Sequence, residues 1–230
     1  MRQQIAVALG AVLKTIFRLN QHYQRINESP RTKIQNEYPF QNSYVDHTGL
    51  CTEFTYTSRI QNKLVFKAVS KANDDLVIKF TRRYSSTAHG FLASLGHAPA
   101  IRAINDIPGG WKMIVMESSP YTLLYDLCPI LDDKTRSAIK ETVKEVTGKL
   151  HLQELVHGDI RQANILVSER TLNSPEGISF HLIDFDWAGP AGAVKYPMGV
   201  NIETIRRPRD VAGGKLITKS HDLEMINLLF

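Results

Sequence analysis

The stretch His157-Gly158-Asp159-Ile160-Arg161-Gln162-Ala163-Asn164 decides how the rest of the chain is interpreted. It follows an amphipathic helical pattern and leads directly into the apolar run Ile165-Leu166-Val167, which is typical of a short strand. A second such run, at residues 180–183, ends in Asp184-Phe185-Asp186. Two carboxylates at strand ends and an amide, with a lysine far upstream, suit a site that holds metal-bound phosphates and orients a hydroxyl. The sequence therefore favours a phosphotransfer hypothesis.

Size and composition are those of a globular protein with an ample core. At 230 residues, 43% hydrophobic and 22% charged, the chain suits one two-lobed domain or two small ones. Its net charge is +5, and residues 1–40 carry six Lys or Arg residues against two Glu residues. A nucleic-acid partner would need a denser basic patch with interleaved aromatic residues, so we expect none. The phosphates of a nucleotide fit a mild positive charge equally well.

The cysteines and the apolar runs favour an intracellular protein. Cys51 and Cys128 lie far apart, which is neither a disulfide framework nor a metal-ligand spacing, so we expect two reduced thiols and a cytoplasmic location. The longest apolar run, residues 5–13, is too short to span a bilayer. Because no acidic residue precedes Glu28, a mitochondrial targeting helix is the alternative for the N-terminal segment. Sparse arginine and the lack of serine there favour a helix packed on the domain that follows.

The first half of the chain combines one long helical pattern with a region rich in strands. Apolar residues recur at three- and four-residue steps over residues 1–27, which predicts a helix, and residues 28–43 are polar and predict a linker. A helix is also expected over residues 85–95, and Pro108-Gly109-Gly110 predicts a hairpin turn. The predicted strands cover residues 54–57, 64–69, 76–80, 101–104 and 111–116.

The second half is mainly helical in pattern. Asp132-Asp133 supplies an N-cap and an acidic first turn for a helix. The buried face of this helix is expected to consist of Ile139, Val143, Val146 and Leu150. Further on we expect two short strands at about residues 165–168 and 179–183, an irregular Gly- and Pro-rich segment over residues 189–214, and a closing helix over residues 221–230.

The motifs of this chain come in the order strand lysine, helical region, H-x-D-x-x-x-x-N and D-F-x. The same order is found in the protein-kinase-like superfamily, which the chain resembles over roughly residues 50–230. Within that superfamily it is most similar to the small kinase-like proteins of mushroom-forming fungi. The residues that carry this similarity are Val77-Ile78-Lys79-Phe80, Gly96-His97-Ala98-Pro99, Pro108-Gly109-Gly110-Trp111, His157-Gly158-Asp159-Ile160-Arg161, Ile183-Asp184-Phe185-Asp186 and Lys195-Tyr196-Pro197-Met198.

The resemblance implies an α+β, two-lobed protein-kinase-like fold. A helical extension and linker, residues 1–45, would precede a kinase-like domain over residues 46–230. Its N-lobe, residues 46–117, would be a small antiparallel sheet carrying one helix. Its C-lobe, residues 118–230, would be reduced and mainly helical.

The resemblance also implies roles for residues around the opening stretch. Asp159 resembles the catalytic Asp that aligns the acceptor hydroxyl and accepts its proton. Asn164 and Asp184 resemble the ligands of the Mg²⁺ ions that bridge the nucleotide phosphates. Arg161 stands where a Lys often faces the γ-phosphate, and a guanidinium can serve there as a fork. His157 is expected to be a packed structural residue rather than a base.

ATP is the second cofactor that the resemblance implies, alongside Mg²⁺. Lys79 resembles the strand lysine that holds the α- and β-phosphates. Met116-Glu117-Ser118-Ser119 matches the hinge, where the backbones of Glu117 and Ser119 would meet the adenine edge.

Three positions depart from the kinase pattern. No Gly-rich loop precedes Lys79, and the turn at residues 58–63 contains no glycine. No acidic residue lies between Asp75 and Asp106, so the helix Glu that normally pairs with the strand lysine is missing and Lys79 is expected to be held less firmly. Gly158 replaces the Arg of H-R-D, so we expect no control by a phosphorylated activation loop. Asp222 is expected to be either an anchor for the catalytic-loop backbone or a helix N-cap.

These features leave several functions open. The intact Lys79, Asp159, Asn164 and Asp184 favour an enzyme that transfers the ATP γ-phosphate to a hydroxyl, with a protein Ser or Thr as the preferred acceptor. The missing Gly-rich loop and helix Glu favour a pseudokinase, a binding or scaffold module with little turnover. The H-G-D and D-F-D motifs are closer to aminoglycoside and choline kinases, which phosphorylate small molecules. Fold by itself does not decide among these functions.

Overall fold

The computed structural model describes residues 2–28, 38–60, 63–172, 174 and 177–230. The chain divides into two units, Met1–Pro39 and Phe40–Phe230. In the first unit, α1 (Arg2–Glu28) confirms the predicted long helix. Most of the expected linker, two residues of the turn at residues 58–63 and three residues of the loop between the two late strands fall outside the described residues. Within the described residues, no helix is long and apolar enough to cross a membrane.

The second unit begins with a six-stranded antiparallel sheet whose strand order is β1-β2-β3-β4-β6-β5. Its strands are β1 (Ser43–Val45), β2 (Cys51–Arg59), β3 (Val65–Ser70), β4 (Asp75–Thr81), β5 (Ile101–Ile107) and β6 (Trp111–Glu117). Side chains alternate in burial along β4, so Leu76, Ile78 and Phe80 enter the core while Lys79 projects from the opposite face. Lys79 is paired in register with Ile114 of β6, which places it in the middle of the sheet.

One helix, α2 (Ser86–Ser94), packs beside this sheet. Its N-cap is Ser85, whose side chain accepts a hydrogen bond from the Ala88 N–H. Ala88, His89 and Leu92 form its buried face. The predicted strands and the predicted helix at residues 85–95 are therefore confirmed, and β1 is an additional strand that the sequence did not reveal.

The rest of the unit is built on three helices, α3 (Leu124–Leu127), α4 (Asp133–Leu152) and α5 (Lys219–Asn227). Asp132 caps α4 by accepting from the Thr135 N–H at 2.7 Å. The four residues expected on its buried face are all buried, in a core shared with α2, α5 and the short strands. Burying each such side chain contributes roughly 1.5–3 kcal/mol before the entropy of ordering is subtracted.

Two small sheets position the loops of this half. Strands β7 (Thr122–Leu123), β9 (Ile165–Val167) and β10 (Phe180–Leu182) form one sheet, and β8 (Leu155–Val156) with β11 (Gly189–Pro190) forms the other. Beyond β11 the chain is mostly irregular, as predicted, and we call residues 197–214 the returning loop. Its base is closed by the bridge between Lys195 and Leu216 and by the hydrogen bond from the Tyr196 N–H to the Lys215 carbonyl.

Candidate active site

The loop that follows β8 is anchored from below by Asp222 of α5. This carboxylate is fully buried and accepts the backbone N–H groups of His157 and Gly158, each at 2.8 Å. Its Oδ2 also lies 3.0 Å from Nε2 of His151. The N-cap of α5 is Thr218, so the anchor interpretation of Asp222 is confirmed and the N-cap interpretation is wrong.

The same loop explains why glycine stands at position 158. Gly158 has φ of +82°, a left-handed conformation that favours glycine. A Cβ at this position would lie 3.0 Å from Cδ1 of Ile217 and 3.2 Å from Cβ of Trp187. An arginine could therefore not replace it without displacing these side chains.

His157 has a structural role, as predicted. Its Nε2 donates to the Ile183 carbonyl at 3.1 Å, and its Nδ1 accepts from the Asp159 N–H at 3.3 Å. Both ring nitrogens are thus used to hold the loop against the strand end. The ring also packs edge-on against Phe185, with centroids 5.1 Å apart.

The carboxylate of Asp159 is surrounded by donors. Its Oδ2 accepts from Nε of Arg161 at 3.0 Å and from Nδ2 of Asn164 at 2.8 Å. Its Oδ1 accepts from Nη2 of Arg207 at 2.8 Å. Because each carboxylate oxygen has about two acceptor positions, Oδ1 is the oxygen with capacity left among these contacts.

Asn164 supplies an oxygen suited to a metal. Its Nδ2 donates to the backbone carbonyl of Asp159 at 2.9 Å as well as to the carboxylate, which fixes the orientation of the amide. Its Oδ1 is buried and has no hydrogen-bond partner among the described residues. Leaving such an atom unpaired costs roughly 1–3 kcal/mol, a cost that a bound cation would relieve.

Asp184 lies next to Asn164 because the two strand ends are joined. The Ile183 N–H donates to the Asn164 carbonyl at 3.0 Å, continuing the β9–β10 pairing. Asp184 itself has φ of +74°, a conformation that costs a residue with a Cβ about 1–3 kcal/mol. The backbone turns here so that Asp184 and Asp186 both face β4.

Lys79 contacts both of these carboxylates. Its Nζ donates to Oδ1 of Asp184 and lies 2.7 Å from Oδ1 of Asp186. Burial acts to lower the pKa of Lys79, but the two carboxylates outweigh it and hold that pKa above its ordinary value. The expectation that Lys79 would be held less firmly is therefore wrong, since acids after β10 take the place of the missing helix acid.

The pKa values of the two carboxylates are shifted in opposite directions. The pKa of Asp184 is lowered: burial opposes the charge, but the Lys79 ammonium more than compensates. The pKa of Asp186 is raised, because burial and the neighbouring Asp184 charge together exceed the attraction of Lys79. A pair of acids around one cation carries excess negative charge, an environment that attracts a further cation.

His89 is the residue of α2 that packs against Phe185 of the D-F-D segment. Its ring stacks on Phe185 with centroids 4.5 Å apart and planes 5° from parallel. Its Nε2 lies 2.7 Å from the Pro99 carbonyl, so that nitrogen carries the proton, and Nδ1 accepts from the Tyr84 hydroxyl at 2.5 Å. Burial lowers the pKa of His89 to about 4.

Glu117 and Ser119 lie in the segment that leaves the sheet. The Glu117 carboxylate pairs with Arg102 at 2.7 Å, and its backbone N–H donates to the Ala100 carbonyl at 2.9 Å. The Ser119 hydroxyl lies 2.9 Å from Nδ1 of His181. The use of their backbones for adenine therefore stays a prediction.

An open cleft of about 230 Å³ brings together three of the seven predicted site residues. Asp159, Arg161 and Asp184 line it, together with Asp186 and Arg207, for which the sequence predicted no role in the site. The Arg207 side chain is only 2% exposed and lies over the Trp187 ring, 4.9 Å from its centroid. Arg207 lies in the returning loop, where the sequence has no periodic pattern that could have indicated its position in the site.

The oxygen donors fit a magnesium ion held jointly with phosphates. Within residues 2–28, 38–60, 63–172, 174 and 177–230, no group of three or more His, Cys, Asp or Glu residues could hold a metal by itself. Mg²⁺ usually takes one or two protein carboxylates, some waters and the phosphates of its substrate. Asn164 and Asp184 satisfy that smaller requirement.

Comparison with solved structures shows the fold. No family model and no curated protein matches the sequence. The structure of the Cydia pomonella granulovirus kinase PK-1 is similar with a TM-score of 0.57 at 15% identity, covering 75% of this chain and 65% of that one. The structure of vaccinia related kinase 3 is similar with a TM-score of 0.57 at 15% identity, covering 82% of this chain and 67% of that one.

The chain therefore has a mixed α+β, protein-kinase-like fold, which confirms the predicted fold class. It spans about two thirds of the length of these two kinases. The narrower similarity to kinase-like proteins of mushroom-forming fungi stays a prediction.

Replacing Asp222 by Asn tests the anchor. The asparagine side chain keeps one oxygen acceptor but places its NH₂ group opposite one of the two buried backbone N–H groups. We therefore expect the free energy of unfolding to fall by about 3 kcal/mol. Urea denaturation of both proteins measures the change. The matched control is Asp210→Asn, whose side chain is 74% exposed and contacts His221, a residue of the helix that carries Asp222. This variant should change the stability little. Equal stability of Asp222→Asn and wild type would refute the anchor.

The lowered pKa of His89 predicts a pH dependence of stability. The unfolded chain binds a proton near pH 6.5, whereas the folded protein does so only near pH 4, so the free energy of unfolding falls as the pH drops through this window. Between pH 6.5 and 5 we expect His89 to account for a loss of roughly 1.5 kcal/mol.

Urea denaturation at several pH values measures this loss in wild type, in His89→Gln and in a control at the exposed His47, His47→Gln. The His89 variant should show a smaller loss than the other two proteins. The same pH dependence in all three would contradict the assignment.

Proposed function

We propose that this protein is an ATP-dependent phosphotransferase that moves the γ-phosphate of ATP to a hydroxyl, with a protein Ser or Thr side chain as the preferred acceptor. The observation that carries the proposal is the arrangement of Asp159 and Asn164. The amide is oriented by Asp159 so that its free, buried Oδ1 is available to a cation, while Asp159 keeps acceptor capacity at Oδ1.

Asn164 and Asp184 are the residues that would hold Mg²⁺, which when bound neutralises and orients the phosphates. Lys79 would lie against the α- and β-phosphates, and the backbones of Glu117 and Ser119 would hold the adenine. Arg161 lines the cleft beside Asp159, where it can face the γ-phosphate as a two-pronged donor.

Asp159 acts on the acceptor. Its Oδ1 would accept a hydrogen bond from the incoming hydroxyl, align it and take its proton as the oxygen bonds to the γ-phosphorus and the bond from that phosphorus to the departing ADP oxygen breaks. Arg161, Arg207 and Asn164 keep the carboxylate in one orientation, so little reorganisation is needed when the hydroxyl arrives.

A second candidate is a binding module with little turnover. The contact that favours it is the one between Arg207 and Asp159, because a guanidinium already occupies one position on the oxygen that the acceptor would need. The small-molecule kinase alternative has the same catalytic residues and differs only in the acceptor.

Nucleotide binding is tested by thermal unfolding with and without Mg·ATP. Because a ligand at about a hundred times its Kd adds roughly 2.7 kcal/mol to stability, millimolar Mg·ATP should raise the Tm by several degrees. Asp184→Ala should abolish this shift, whereas Asp133→Ala, at a fully exposed side chain, should retain it. The nucleotide hypothesis is lost if wild type shows no shift.

Turnover is tested separately with Asp159→Ala. This variant should keep the Mg·ATP-dependent rise in Tm but lose at least about a hundredfold in phosphate transfer, since general-base assistance contributes 10²–10⁴-fold. Radiolabelled γ-phosphate release and acceptor labelling provide the measurement, with Asp133→Ala again as the control. Equal rates in wild type and Asp159→Ala would favour the binding-module candidate.

A further inference from the structure

The ammonium of Lys79 has two carboxylate partners. In a nucleotide site with a bound metal, one of these two carboxylates would be needed as a metal ligand. On the basis of the proposed function, we propose that Asp186 is a positioning residue that holds Lys79 while Asp184 serves the metal. Asp186 would thereby form the ion pair with Lys79 that a helix Glu would otherwise form. The inference rests on three features of the described residues around β4 and α2.

The first feature is that Asp186 is tied to β4 at two points. Its Oδ1 lies 2.7 Å from the Lys79 Nζ, and its Oδ2 lies 3.1 Å from the Thr81 hydroxyl. Thr81 follows Lys79 by two residues, so both project from the same face of the strand. The Thr81 hydroxyl has one proton and also lies 3.0 Å from the Arg83 carbonyl, but a charged acceptor makes the stronger bond.

The second feature is that Asp184 comes from the strand end that is joined to Asn164. It directly follows Ile183, whose N–H is bonded to the Asn164 carbonyl, so it lies beside the amide whose Oδ1 is free. The two acids therefore share Lys79, but Asp184 directly follows the residue bonded to Asn164, whereas Asp186 contacts Thr81.

The third feature is that α2 offers no competing acid. Its sequence, Ser86–Ser94, contains no carboxylate, and the residue that meets the D-F-D segment is His89, stacked on Phe185. That stack also fixes the backbone from which Asp186 projects, because Phe185 is completely buried. Asp186 is therefore placed rigidly with respect to Lys79.

A rival role for Asp186 is that of a second metal ligand, and the dependence on Mg²⁺ separates the two. The contribution that a residue makes as a metal ligand is lost when the metal is removed. A residue that positions Lys79 affects binding with or without metal, because the lysine contacts the phosphates in both cases. It must also act through Lys79, so its effect should disappear once the lysine is removed.

The experiment measures ATP affinity by titration with Mg²⁺ and again with EDTA. It compares wild type with Asp184→Asn, Asp186→Asn, Lys79→Met and the double variant of Lys79 and Asp186. We expect Asp186→Asn to weaken binding about tenfold under both conditions and to add nothing to Lys79→Met. Asp184→Asn removes the proposed metal ligand as well as one partner of Lys79, so it should weaken binding more in the titration with Mg²⁺ than in the titration with EDTA. Asp106→Asn, which removes the exposed partner of Lys112 on the same sheet, is the matched control and should bind like wild type.

Three outcomes would overturn the inference: wild-type affinity in Asp186→Asn, a loss confined to the Mg²⁺ titration, or additive effects of Lys79→Met and Asp186→Asn. Wild type that binds no nucleotide under either condition would instead overturn the proposed function. The pair itself is tested without nucleotide by the same double-variant comparison of urea stability, in which non-additive changes support the Lys79–Asp186 contact and additive changes refute it.

Discussion

The buried carboxylate of Asp222 is the constraint on which the loop from His157 to Asn164 depends. Two consecutive backbone N–H groups point at it from residues 157 and 158, and they can do so only because Gly158 adopts a left-handed conformation. That conformation directs Asp159 into the cleft, where its carboxylate is held by Arg161, Asn164 and Arg207. A carboxyl group without access to water is tolerated in this position because each of its oxygens accepts at least one hydrogen bond.

The charges of the cleft are arranged as two linked groups. On one side, the single negative charge of Asp159 meets two guanidinium groups, which leaves an excess of positive charge. On the other side, Lys79 meets two carboxylates, which leaves an excess of negative charge. A cation bound to phosphates complements both groups at once, since its metal suits the acidic side and its phosphates suit the basic side.

The sequence predicted the elements with clear periodicity and missed those without it. Helix α4 and strand β4 were recognised because apolar residues recur over many positions, whereas β7, β8 and β11, with two residues each, are too short for alternation to be detected. Asp159, Asn164, Asp184 and Lys79 were found through their spacing and order. The helix that follows β4 has no acid, as its sequence predicted, but Lys79 is held by Asp184 and Asp186, which come after β10 and are distant in sequence. Arg207 left no signal, since a Gly- and Pro-rich segment without regular structure gives no indication of where a side chain points.

The contact between Lys79 and Asp184 has a consequence for how the protein reaches its native state. It joins residues 105 positions apart, and the anchor at Asp222 joins positions separated by 65. Contacts of such long range require large loops to be closed, which slows folding relative to helices and hairpins. The sheet and α4 can therefore form from local contacts while the cleft is still incomplete. We expect the site to be among the last parts of the molecule to assemble, so that mutations within it mainly accelerate unfolding and leave the folding rate nearly unchanged.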